Sequence, residues 1–235
     1  MSGLNALGQP VGDPVPGWSP RETPARTAMA GRFCRVEALA PDRHAADLFA
    51  ANSEDREGRM WTYLPFGPYA SFAEYLDYAK AAAVSETRLT YAIVTDKAVG
   101  VASYLNINRS AGSIEVGALA YSPGLQRTPA STEAMFLMMR RVFDELGYRR
   151  YEWKCNSLNA ASRAAAERLG FRYEGLFRQA DVVKGGNRDT AWFSIVDGEW
   201  PALKTAFTRW LDPANFDAAG HQRESLSSLT RPAPR

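Results

Sequence analysis

The stretch 118–147, ALAYSPGLQRTPASTEAMFLMMRRVFDELG, constrains this chain more than any other. An apolar run over 115–121 meets a segment broken by Pro123, Gly124 and Pro129. Apolar residues then recur at helical spacing over 132–146, and Gly147 stops the pattern. This reads as a strand, a polar loop and a long helix. Thr128 has the chemistry of an N-cap, and Pro129 suits the first helical position, where a missing N–H costs nothing. The amides of Ala130, Ser131 and Thr132 are then expected to stay free at the positive end of the helix dipole, an arrangement that holds anions. Gln126 and Arg127 precede the turn, and Arg127 adds a fixed positive charge. A capped core helix with no ligand accounts for the same residues.

The rest of the chain bounds what this unit serves. Its 235 residues allow one large domain with arms, and 46% hydrophobic residues are enough for a sizeable core. A net charge of +2 with no basic run argues against a nucleic-acid or membrane partner. Cys34 and Cys155 form neither a disulfide framework nor a zinc site, and no metal-ligand cluster is visible. Thiols, the lack of a bilayer-length apolar stretch and the lack of a signal-peptide pattern point to the cytoplasm.

In chain order, residues 1–32 are rich in Pro and Gly and read as an extended or flexible arm that Trp18 pins to the body. The body is expected over 33–212, with a tail over 213–235 whose last residues, SLTRPAPR, read as disordered. In the tail, Asn215, Phe216 and His221 are candidates to dock. A strand is expected over 33–39 and a helix over 44–52. The aromatic loop 60–70 carries Trp61, Tyr63, Phe66 and Tyr69, which either wall a substrate pocket or cover the core. Ser71 caps a helix over 72–84. Strands over 89–95, 98–107 and 113–121 form a meander. Strand 150–155 places Tyr151, Trp153 and Cys155 on one face, with Glu152 and Lys154 on the other. Asn159 caps a helix over 160–169 that ends at Gly170. Strands over 171–178 and 190–196, with a turn signal at 184–187, and an amphipathic helix over 199–211 complete the pattern. The fold class is α/β, with a mixed, mostly antiparallel central sheet and helices on both faces.

Three blocks then resemble a known family. They are GALAYSP with QRTPASTEA; Asn159-Ala160-Ala161-Ser162 with Arg168-Leu169-Gly170-Phe171; and Tyr173-Glu174-Gly175 with Asp189, Phe193-Ser194-Ile195 and Glu199-Trp200. In this order and spacing they resemble the GNAT superfamily of N-acetyltransferases, in the group related to the ribosomal-protein N-terminal acetyltransferases. The resemblance runs over about 91–200. It implies the GNAT fold, in which the strand holding 115–121 splays from the strand holding 151–155. It also implies acetyl-CoA as co-substrate, with its acyl arm in the gap, and transfer by direct attack of a primary amine. The amine belongs to a small molecule, an amino-acid-like metabolite or a peptide N-terminus. One departure stands out: the family loop is Q/R-x-x-G-x-G/A, and here those places hold Gln126, Pro129 and Ser131. That departure motivates the alternative, a non-catalytic module that binds acyl-CoA or a protein.

Amine acetylation needs a base, a held thioester, a donor for the carbonyl oxygen and a proton for the leaving thiolate. Glu115 is the base candidate, because strict alternation places Glu115, Gly117, Leu119 and Tyr121 on one side of the strand; a solvated strand glutamate is the plain reading. Glu133, in the first turn of a helix, reads as a dipole partner. The resemblance places Leu119, Ala120 and Tyr121 along the thioester, with the oxyanion donor in the backbone near Leu119. Gln126, Arg127, Thr128, Ala130, Ser131 and Thr132 fall at the diphosphate. Asn159 and Ser162 fall at the pantetheine and sulfur end, where Ser162 gives or relays a proton to the thiolate; as N-cap and first-turn residue, the pair equally serves the helix alone. Arg163 either meets a CoA phosphate or is an ordinary exposed helix residue. Neither His44 nor His221 lies in these motifs, which removes the support for a histidine nucleophile. The N-terminal arm is long enough to wrap a second subunit, so a homodimer stays open.

Overall fold

The computed structural model describes residues 3–231. A small hairpin of β1 (Gly3–Leu4) and β2 (Pro10–Val11) stands apart from the main sheet. The chain then runs through β3 (Met29–Ala30), β4 (Arg35–Ala38), α1 (Pro41–Asn52), α2 (Phe72–Ala83), β5 (Arg88–Val94), β6 (Ala98–Asn108) and β7 (Ser113–Tyr121). There follow α3 (Pro129–Arg140), β8 (Arg150–Asn156), α4 (Ala160–Arg168), β9 (Arg172–Val183), β10 (Gly186–Val196), α5 (Trp200–Leu211) and α6 (Leu226–Thr230). The eight-stranded sheet has the order β3-β4-β5-β6-β7-β8-β10-β9, and every pairing is antiparallel except β7 with β8.

Two cores follow from the alternation of side chains across this sheet. On one face Ala45, Leu48, Trp61, Tyr75 and Ala79 of α1, α2 and the intervening loop pack on Ala92, Val101 and Ala120. On the other face α3, α4, α5 and α6 cover Tyr91, Tyr104, Ile114, Val116, Tyr151, Trp153 and Phe193. The local capping logic holds. Ser71 accepts from the Glu74 amide, Thr128 from Ser131 and Asn159 from Ser162. Gly147 sits at φ +65°, a conformation open to glycine at little cost. Just before it the α3 helix loosens into one π turn over Arg141–Glu145, so the expected single helix over 132–146 is two segments. At the turn between β9 and β10, Lys184 and Gly185 both have positive φ, which makes the two-residue connection whose twist matches its strands.

The termini depart most from the sequence reading. Residues 1 and 2 lie outside the described part. From Trp18 onward the arm is anchored: the Trp18 indole donates to the Ser110 carbonyl at 2.8 Å, and Met29–Ala30 joins the main sheet. In the tail, Asn215 is buried and Phe216 packs on Phe33 and Trp210, while His221 is exposed and faces Asp217. The expectation of disorder over 228–235 is corrected for its first residues. Leu226 and Thr230, one helical turn apart, are buried, and Ser225 caps the short helix that carries them. Residues 232–235 lie outside the described part.

Candidate active site

Strands β7 and β8 pair over only four residues, from Ser113 with Arg150 to Val116 with Trp153. Beyond that point β7 bonds to β6 and β8 bonds to β10, and among the described residues nothing pairs the two facing edges. An unpaired strand edge offers amide and carbonyl groups to an extended chain laid beside it.

The parting coincides with an extra residue in β7. Ser103 faces Gly117 and Val101 faces Ala120, so three steps on β7 match two on β6, and Ala118 adopts φ +50°. This bulge corrects the expectation of one continuous face. Glu115 and Gly117 lie on the side of Ala120, Trp61 and Tyr75. Leu119 and Tyr121 pack instead against the α3 core, with Ile114 and Val116. An inserted residue reverses the parity of everything after it.

Glu115 is buried, at 5% exposure, and is not a solvated glutamate. Its Oε2 takes a hydrogen bond from Asn106 Nδ2 at 2.7 Å and an ion pair from Lys154 Nζ at 2.8 Å. Lys154 also meets Glu152 at 2.8 Å and lies 3.9 Å from the centre of the Trp192 ring. Burial works against the charged amine, yet its bonds to Glu115 and Glu152 carry Lys154 above the usual lysine value. The row continues across the sheet, as Arg150 joins Glu152 at 2.7 Å and grips both oxygens of Glu174. Glu115 Oε1 has no hydrogen-bond partner among the described residues. It lies 3.3 Å from where a Cβ on Gly117 would stand, so the bare glycine leaves room beside it.

The loop after β7 is more committed than the sequence indicated. Gln126 and Arg127 are exposed, but Gln126 Nε2 donates to the Tyr121 carbonyl at 2.9 Å and ties the loop to the strand end. The expectation of three free amides is corrected at Ser131, whose N–H is taken by Thr128 Oγ1 at 3.2 Å. The Ala130 amide has no partner among the described hydrogen bonds. Ala130, Ser131 and Thr132 are all buried, so this turn is less open than expected, and Arg127 is the exposed cation next to it. Arg168 was missed by the sequence reading. It comes from the end of α4 and donates to Thr132 Oγ1 at 2.8 Å, bringing a second cation to the same turn. Only its place in the LGF block drew attention to it, and that block says nothing of where the side chain goes.

On the other wall, Asn159 Oδ1 caps α4 by accepting the Ser162 amide at 3.0 Å. Ser162 Oγ accepts from the Trp153 indole at 3.0 Å, which leaves its own proton to donate. The buried Cys155 thiol beside it is pushed up by burial, against the pull of Ser162. Arg163 is exposed and lies over the Tyr173 ring. The four aromatic residues of the loop divide. Trp61, Phe66 and Tyr69 pack against one another, Tyr75 and Tyr78, which is the core-covering role. Tyr63 reaches out instead, and its hydroxyl donates to the Leu158 carbonyl at 3.2 Å, between β8 and α4. From the far side the β9–β10 turn closes in, with Lys184 Nζ donating to the Trp61 carbonyl at 2.8 Å. Asp181 lies on that hairpin, opposite Arg188 and past the end of β8. It is exposed, and the sequence reading gave it no role.

A gap between two parallel strands is the geometry that the resemblance implied; the charged row beside it was not expected. Residues 35–172, more than half of the chain, match the acetyltransferase (GNAT) domain family. The chain belongs to the GNAT family. Among solved structures, a GCN5-related N-acetyltransferase from Brucella melitensis is 46% identical, with a TM-score of 0.90, covering 92% of this chain and 99% of its own. A GNAT-family protein from Chromobacterium violaceum is 38% identical, with a TM-score of 0.77 over 83% of this chain and 98% of its own. RimL, a ribosomal L7/L12 α-N-protein acetyltransferase solved with coenzyme A, shares the fold at 19% identity and a TM-score of 0.63, covering 72% of this chain and 98% of its own. No curated protein sequence matches the chain. As a GNAT acetyltransferase it uses acetyl-CoA as co-substrate. Among the described residues no cluster of metal-ligating side chains is present, and no helix is long and apolar enough to cross a membrane. The residues at the gap fit acetyl-CoA: two unpaired strand edges can take an amide-bearing arm, and Arg127, Arg168 and the Ala130 amide surround the helix mouth.

Proposed function

We propose that this GNAT protein acetylates a primary amine, carried by a small molecule, an amino-acid-like metabolite or a peptide N-terminus. The observation that carries the reading is the parting of β7 from β8 immediately beside the buried Glu115. In it, Arg127, Arg168, Thr128 and the Ala130 amide receive the diphosphate, with Gln126, Ser131 and Thr132 shaping the turn. The freed edge from Leu119 to Tyr121 aligns the thioester, a backbone amide near Leu119 meets the carbonyl oxygen, and Asn159 and Arg163 flank the arm on the α4 side. Glu115 accepts the proton of the amine, whose nitrogen then bonds the carbonyl carbon as the carbon–sulfur bond breaks. The acylated nitrogen sheds its second proton, and Ser162 relays a proton to the thiolate and is itself reprotonated, so that an amide and the free CoA thiol leave. Tyr63 borders the acceptor, with Trp61, Phe66 and Tyr69 supporting its loop. The same reading takes residues 33–212 as the catalytic body, 1–32 as an arm, 213–235 as a tail, and the cytoplasm as the setting.

One observation favours a second assignment of the base. Glu115 already holds Lys154 and Asn106, whereas Asp181 is exposed and forms no ion pair among the described residues. Replacing each carboxylate by its amide separates the two. Glu115→Gln is expected to lower turnover by about 10²-fold or more with acetyl-CoA affinity unchanged. Equal loss of both removes its role as base, and a loss confined to Asp181→Asn transfers that role. Acetyl-CoA binding by calorimetry without thiol release on any amine of a broad panel favours the non-catalytic binding module.

A further inference from the structure

The arm does more than lie against the body, because residues 25–34 are bonded to both ends of the α3–π segment. At the far end the buried Arg141 guanidinium donates to the carbonyls of Ala25 (3.2 Å), Thr27 (2.7 Å) and Ala28 (3.4 Å). At the near end the Glu133 carboxylate, 4% exposed, accepts the amides of Arg32 (2.8 Å), Phe33 (2.6 Å) and Cys34 (2.9 Å). The fit is tight, since a Cβ on Gly31 would stand 2.2 Å from the Glu133 carboxyl carbon. Cys34 adds a second tie, its thiol donating to the Ala130 carbonyl at 3.5 Å. Burial, then the neighbouring Glu133 charge, push that thiol up to about 12, so it stays a neutral donor.

A buried carboxylate is costly unless its lone pairs are met, and three backbone amides meet them here. The position matters as much as the bonds. Glu133 lies in the first helical turns, where its charge favours the helix but would repel an arriving phosphate. Facing it toward the 32–34 amides spends that charge on the arm and leaves the Ala130 side of the turn to a ligand. The arm's amides also set where the turn sits relative to β4 and the sheet.

We propose that Glu133 is a positioning residue for acetyl-CoA: by gripping the 32–34 amides it fixes the first turn of α3, and with it the Ala130 amide, where the diphosphate is received. This rests on the functional reading above.

The test uses the full chain and acetyl-CoA binding by calorimetry, with Tm measured on the same samples. Glu133→Gln, which weakens the grip, and Gly31→Ala, which pushes the carboxylate aside from a position away from the ligand, are each expected to weaken acetyl-CoA binding by about tenfold. Arg141→Met, which frees the other end of the same arm, is expected to lower Tm at least as much and to leave the affinity unchanged. The inference is overturned if Glu133→Gln and Gly31→Ala lower Tm but bind acetyl-CoA as the wild type does, or if Arg141→Met weakens binding equally. A wild-type protein that binds no acetyl-CoA overturns the functional reading itself, and this inference with it.

Discussion

The two faces of β8 differ sharply in what they touch. Toward α3 stand Tyr151, Trp153 and Cys155, all buried, with Tyr151 and Trp153 in ring contact with Phe171. Toward the opposite side stand Arg150, Glu152 and Lys154, linked to Glu115 and Glu174. One strand thus holds the sheet together with one set of alternate residues and presents a row of charges with the other. The apolar set stabilises by area removed from water. The charged set gains little net stability, because the cost of desolvating each group offsets most of the attraction. Its value lies in fixing a carboxylate in place beside the strand gap.

The comparison breaks if the two faces respond alike to substitution. Trp153→Ala, on the apolar face, is expected to cost about 3–5 kcal/mol in urea melts, through lost burial and the cavity left behind. A cost below about 1 kcal/mol means that this face does not carry the fold. Lys154→Met is expected to cost about 3 kcal/mol, because Glu115 and Glu152 remain buried without their cation. Combining it with Glu152→Gln is expected to recover part of that loss, whereas a double variant less stable than Lys154→Met alone contradicts a charge-based origin.

The smallest effect sharpens the charged side alone. The Arg150 guanidinium holds the Glu174 carboxyl down to about 2, from an ordinary 4.5. A depressed carboxylate contributes stability that is complete above its unfolded value and is lost as the pH falls toward its folded value. Wild-type stability minus that of Glu174→Gln is therefore expected to be positive at pH 6 and to shrink between about 4.5 and about 2. The partly exposed pair limits it to roughly 1 kcal/mol or less. A difference independent of pH removes the ion pair as its source.

What could be read from the chain was local. Thr128, Ser71 and Asn159 announce helix starts because a cap is a contact between residues three apart. The alternation from Tyr151 to Cys155 announces a strand with unlike faces. The bulge at Ala118 was invisible, since alanine carries no signal for positive φ as glycine does, and the expected single face of β7 failed there. The partners of Glu115 were hidden for a different reason. Lys154 is far away in sequence and reaches it only once β7 and β8 lie side by side. Glu133 read as an ordinary dipole partner because the amides that it grips lie about a hundred residues earlier. The disorder expected over 228–235 failed for 228–231, because Thr230 finds cover and a bond to the Arg168 carbonyl that only the folded body provides.

The surplus residue at Ala118 has a consequence for how this site can change over time. The ribbon opens where the count changes, with one more residue on β7 than on β6. Exchanging amino acids there remodels the walls of the opening and retunes what it accepts. Shifting the opening itself along the strand takes an insertion or a deletion, so the place of the chemistry is inherited far more rigidly than its selectivity.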